Sequence, residues 1–196
     1  MDKYYTILET GSSKYTEKMS RFLGFALHVT TADEAREQIK RFQNEYHDAR
    51  HVCWAYMLGP ERNEWQLNDN GEPSGTAGKP ILGQINSLGL TDVVVVVVRY
   101  FGGIKLGTSG LISAYREAAR LALEAAGVKE CRQMMPLKIQ FAYQVADKVM
   151  KIIKDPDVVV KSREFDNLCS AEIEFPIDKK DEICGKLVSI EGVQLM

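Results

Sequence analysis

The stretch Val93-Val-Val-Val-Val-Val98-Arg99-Tyr-Phe-Gly-Gly-Ile-Lys-Leu-Gly107 decides how this chain is read. Six valines with no polar break predict a strand over Val93–Val98 that is covered on both faces. Arg99 marks where the chain leaves the sheet, and a loop runs on to Gly107. Behind it Leu111, Tyr115, Ala118 and Ala122 recur at helical spacing, so a helix is expected to about Ala126, with Gly127 ending it.

Toward the N-terminus, Asp69-Asn-Gly-Glu-Pro-Ser-Gly-Thr-Ala-Gly-Lys-Pro80 is a polar, glycine-rich loop that runs into a second helix, expected over Thr76–Leu88. Pro80 falls near its first turn, where a missing amide costs little. His51–Leu58 and Asn63–Leu67 read as strands joined by the turn Gly59-Pro-Glu-Arg62. Thr31-Ala-Asp-Glu34 has the capping-box pattern, and Ala35, Ile39, Phe42 and Tyr46 make one face of a following helix. Residues 18–29 read as a strand before it.

Toward the C-terminus the order changes near Met135-Pro136. Strand (137–143), helix (146–154), strand (158–165), strand (168–175), helix (179–190) and a last short strand give βαββαβ, the order of a ferredoxin-like sandwich. The fold class is therefore α+β, with a domain over residues 1–132 and a ferredoxin-like domain over 136–196.

Composition narrows the function classes. The 196 residues carry 25 basic and 27 acidic side chains, 25 − 27 = −2, and 45% are hydrophobic. That balance excludes a disordered chain and a generally basic nucleic-acid binder. Before Gln133 there are 16 basic and 16 acidic residues, leaving 9 and 11 after it, so neither part is a polycation. The longest apolar run, Val93–Val98, is far below the roughly 20 residues that span a bilayer. The N-terminus lacks a signal-peptide core, and Cys53, Cys131, Cys169 and Cys184 form no CxxC pair. The expectation is a cytoplasmic protein with reduced thiols, no membrane association and no metal or other cofactor.

Candidate chemistry concentrates in the two glycine loops. Glycine allows close backbone approach, and helix starts favour anions. Lys79, Arg99, Gly102, Gly103, Lys105, Gly107 and Arg116 are the candidate anion-binding residues, with Tyr100 and Phe101 as stacking rings. Asp69, Gly71, Glu72, Pro73, Ser74, Gly75, Thr76 and Gly78 form the other motif loop. From Arg99 to Arg120 four basic residues stand against one acidic residue. The structural alternative is that the glycines only make tight turns, and that Arg99 pairs with Glu72 or Asp69 and joins the loops.

Gly102 and Gly107 have P-loop spacing, but Thr108 stands where the phosphate-binding lysine belongs. No nucleophile elbow occurs, and His28, His47 and His51 show no metal-ligand spacing. His51, Asp69 and Glu72 are the only plausible acid–base groups beside the loops.

These motifs together resemble the IMPACT family, in its bacterial YigZ-like branch. The resemblance rests on Asp69–Pro80, Val93–Arg99 and Tyr100–Gly107, and extends to Ser20–Phe22, Glu34-Ala35 and Ala49–Ala55. Asp69-Asn70 departs from the acidic pair usual before Gly-Glu-Pro, which weighs against a metal at that pair. The resemblance implies an N-terminal domain like domain two of ribosomal protein S-five and a ferredoxin-like C-terminal domain. Eukaryotic relatives regulate translation initiation with an extra partner-binding domain that does not match here. The expected function is a non-catalytic cytosolic role in translation regulation through RNA or ribosome binding. Arg99, Lys105 and Arg116 would contact phosphates. The alternative is an enzyme or sensor that binds a small phosphorylated or anionic ligand at the glycine loops.

Overall fold

A computed structural model describes residues 2–166 and 168–196, which divide into two compact units, Lys3–Cys131 and Arg132–Met196. In the first unit the elements are β1 (Lys3–Ile7), β2 (Gly11–Glu17), β3 (Ser20–His28), α1 (Ala32–Glu45), β4 (His51–Leu58), β5 (Glu64–Asn68), α2 (Gly78–Ser87), β6 (Val93–Tyr100), α3 (Gly107–Ala126) and β7 (Val128–Arg132). The main sheet has the order β2-β3-β6-β4-β5 and all its pairings are antiparallel. β1 pairs with β7 in a separate ribbon.

β6 runs down the middle of the sheet, and all six valines are 0% exposed. Val93, Val95 and Val97 face α2 and α3, while Val94, Val96 and Val98 face α1. The missing polar alternation thus has its expected cause, helices on both faces. The neighbours, however, run antiparallel to β6. The rule that ligands gather at the carboxyl edge of open parallel sheets therefore does not apply.

Two further differences from the sequence reading are local. β6 continues through Arg99 and Tyr100, so both side chains are set by strand geometry rather than by a loop. Residues 3–17 form β1 and β2, which no apolar pattern announced; β2 is an edge strand with alternate residues exposed. Its Gly11, and Gly24 on β3, let α3 lie directly on the sheet. A Cβ on Gly24 would stand 2.5 Å from the Ala118 carbonyl oxygen, and one on Gly11 2.1 Å from that of Ala122. At α1, Thr31 Oγ1 accepts the Glu34 amide, and Glu34 reaches back to the amide and hydroxyl of Thr30, one residue beyond the usual capping-box partner.

The second unit contains β8 (Met134–Ala142), α4 (Ala146–Ile153), β9 (Val159–Glu164), β10 (Leu168–Pro176), α5 (Lys180–Val188) and β11 (Val193–Leu195). Its antiparallel sheet has the order β11-β8-β10-β9, the ferredoxin-like arrangement. Leu137, Ile139, Phe141, Ile173 and Phe175 bury one face with Val149, Ile153, Ile183 and Leu187 of the two helices. The other face carries the cross-strand pairs Lys138–Glu172 and Lys161–Glu174. Among the described residues no helix is long and apolar enough to cross a membrane.

Candidate functional site

Antiparallel register places Phe22, Arg99 and His51 opposite one another on β3, β6 and β4. Period-two alternation turns this row toward α2 and α3, as it turns Val97. Arg99 is only 6% exposed. An isolated guanidinium there would be very costly, and the chain supplies its counter-charge. Arg99 Nη1 donates to Glu72 Oε1 at 2.6 Å, and the Tyr115 hydroxyl of α3 donates to the same oxygen at 2.7 Å. The pairing named as the structural alternative is therefore the one formed, with Glu72 as the partner. Arg99 Nε has no hydrogen-bond partner, and the guanidinium carbon lies 5.6 Å and 5.7 Å from the ring centroids of Phe22 and Phe101.

Asp69 has a different task. Its carboxylate accepts the amides of Gly75 (2.8 Å), Ala77 (3.0 Å) and Gly78 (2.8 Å). It so caps α2, whose N-cap residue Ala77 has no side chain able to do so. The loop does bind an anion, and the anion is its own aspartate. The Gly75 and Gly78 amides point inward and are not free for an external anion. Thr76 is likewise turned in, donating to the Pro73 carbonyl. Asp69 and Glu72 are also not a hydrated carboxylate pair, since each is engaged by buried or backbone donors.

His51 Nδ1 lies 2.7 Å from the Asn70 carbonyl oxygen. A carbonyl only accepts, so Nδ1 carries a proton and Nε2 is the nitrogen directed at Glu72 Oε2, 3.7 Å away. Gly71, at φ 83°, lets the backbone pass close to this ring; a Cβ there would meet Nδ1 at 3.4 Å. Cys53 Sγ stands 3.0 Å from the Asp69 carbonyl and 3.3 Å from the Tyr115 hydroxyl. Burial pushes both the Cys53 thiol and the Tyr115 phenol far up, so both stay protonated and the thiol is no nucleophile.

A cavity of about 390 Å³ opens over this network, lined in part by Arg50, His51, Glu72, Phe101, Lys105 and Thr108. Arg99 and Gly107 also reach it. α3 begins here: Leu106 occupies the N-cap position and no side chain caps the helix. Gly103 and Gly107, at φ 87° and 73°, have open space where a Cβ would stand. The Gly102 amide is already engaged, donating to Ser20 Oγ at 3.2 Å.

The remaining candidates separate. Lys79 and Arg116 line a second cavity with Gly75 and Ile112, apart from the one at Arg99. Tyr100 projects to the α1 face, where its hydroxyl donates to Asp48 at 2.8 Å, which raises its pKa, and Arg21 covers its ring at 5.0 Å. Phe101 alone of the two rings borders the cavity. The local basic excess also shrinks, because Arg99 is paired with Glu72 and Arg120 with Glu117 and Glu124. Sequence reading missed Arg50, Tyr115 and Ser20. Tyr115 carried a signal, since a tyrosine on an apolar helix stripe must find a partner for its hydroxyl. Among the described residues no group of three or more His, Cys, Asp or Glu is placed to hold a metal ion.

The Impact N-terminal domain family matches residues 18–123. The IMPACT family member YvyE of Bacillus subtilis is 33% identical over 181 residues, covering 92% of this chain and 82% of YvyE. YigZ of Escherichia coli, also an IMPACT family member, is 31% identical over 172 residues, 87% of this chain and 84% of YigZ. A crystal structure described as that of a hypothetical protein superposes with a TM-score of 0.79 at 28% identity, over 100% of this chain and 97% of the other. Motifs, fold and relatives agree, and the chain belongs to the IMPACT family.

Proposed function

We propose that the protein binds single-stranded RNA through the cavity at the start of α3, without catalysis, in the translation-regulating role that the family resemblance implies. The observation that carries this reading is the uncapped α3 N-terminus opening into a cavity rimmed by Arg50 and Lys105. Free helical amides, the helix dipole and two cations converge there, and a phosphate satisfies all three. The lack of catalysis is supported by the spent groups: Glu72 is held by Arg99 and Tyr115, and Cys53 is buried and protonated.

Anisotropy titration of a labelled single-stranded oligoribonucleotide at low salt tests the reading. Arg50→Ala with Lys105→Ala is expected to weaken binding about tenfold or more and to lower the salt slope by about 0.7 per lost contact. Melting temperature should barely move, because both side chains are exposed. Failure of the unaltered protein to bind RNA or ribosomal particles at low salt ends the reading. A second reading, a small phosphorylated ligand, is favoured by the cavity's volume, which falls within the range of small-molecule sites. Competition by free mononucleotide as effective as the oligomer would select it.

A further inference from the structure

Beside this cavity stands a hairpin tip that phosphate binding does not use. β2 and β3 are joined by Lys18 and Met19, with φ 44° and 65°. Two left-handed residues make the type I′ turn, for which Asn-Gly is the favoured pair. Lysine and methionine adopt that conformation at a cost in stability, and such strain gathers where a side chain has to be displayed. Met19 is displayed, at 71% exposure.

The tip is locked to the loop after β6. A Cβ on Gly102 would stand 2.1 Å from the Met19 carbonyl carbon and 2.4 Å from the Ser20 nitrogen, so only glycine allows the two backbones to touch. Ser20 Oγ accepts the Gly102 amide and fixes the contact. On either side of Gly102 that loop exposes Phe101 (49%) and Ile104 (48%). Three large apolar side chains are therefore carried on two backbone segments in contact. The neighbouring charges are mostly basic, with Lys18 on the turn, Lys105 on the loop and Arg50 on the cavity rim. The acids beside them are engaged within the chain: Glu17 accepts the Tyr15 hydroxyl, and Glu72, which also lines the cavity, is paired with Arg99.

We propose that Met19, Phe101 and Ile104 form a platform on which an unstacked base of single-stranded RNA lies while its phosphate occupies the cavity at α3. The inference rests on the phosphate reading above and adds the surface on which the base lies. Apolar surface ringed by cations suits a base attached to a phosphate, and a base within a duplex has no free face to offer. Phe101 already stacks near the Arg99 guanidinium, the pairing of ring and cation that single-strand sites employ.

The test exploits the strain. Met19→Asn puts a residue that tolerates the left-handed region into the turn, so stability should hold or rise. Combined with Ile104→Ser, it should lower affinity for a labelled oligouridylate about tenfold or more. Affinity for inorganic phosphate, measured by calorimetry, should be unchanged. An unaltered oligouridylate affinity in this variant overturns the platform while leaving the phosphate reading intact. No binding of either probe by the unaltered protein overturns both. Duplex RNA that binds as tightly as the single strand, or a variant that keeps RNA and loses a ribosomal protein instead, also overturns it.

Discussion

The Asp69–Gly78 loop and the Phe101–Gly107 loop look alike as sequence: each is glycine-rich and each leads into a helix. The helices they lead into are capped differently. In the first loop the Asp69 carboxylate accepts three of them, and Gly78 is so close to β5 that a Cβ would meet the Asn68 nitrogen at 2.9 Å. In the second loop the Gly102 amide goes to Ser20 Oγ, Gly103 and Gly107 have open space where a Cβ would stand, and the helix that follows has no side-chain cap. A glycine-rich helix start is thus a receptor for an outside anion only where the chain has not already placed a carboxylate there. An acidic residue a few positions upstream is the feature to check.

The largest expected effect comes from cutting the bridge between the first loop and β6. Arg99→Ala leaves Glu72 buried without its counter-charge and should cost about 3–5 kcal/mol, a fall in melting temperature of roughly 10 °C. Arg99→Met with Glu72→Gln, which removes both charges, should cost clearly less. Equal losses in the two variants would show that the pair is not the bridge.

Next comes the fate of the first loop. Asp69→Ala strands three amides and should destabilise by about 3 kcal/mol in urea unfolding. The emptied loop becomes an anion receptor, so added sulfate should raise the melting temperature of this variant more than that of the unaltered protein. An equal response in both would break the comparison.

The smallest effect lies in the second loop. Gly103→Ala meets no neighbour and bears only the strain of a positive φ, about 1 kcal/mol. The same change at Gly102 forces two backbones apart and should cost several-fold more in the same urea measurement.

Much of the fold was legible because its signals are local. The apolar stripes of α1 and α3, the start of β4 at His51 and the whole βαββαβ order follow from spacing along the chain. β1 and β2 were not legible: Ser12, Ser13, Lys14 and Thr16 show no alternation of apolar and polar residues, since an edge strand needs little burial. At the candidate site, Glu72 was a named partner for Arg99, but Asp69 was an equal rival. Both are acidic residues of one loop, and only the path of that loop decides which one reaches β6.

Periodicity, and motifs within about 20 residues, thus specify most of the elements beyond β1 and β2, the α+β class and the family. Tertiary structure decided which charges are spent. His51, Glu72, Arg99 and Tyr115 meet because antiparallel register aligns β4 with β6 and because glycines on β2 and β3 let α3 lie close on the sheet. Register and close approach are contacts between residues far apart in the chain, and their energies depend on burial that no local pattern encodes.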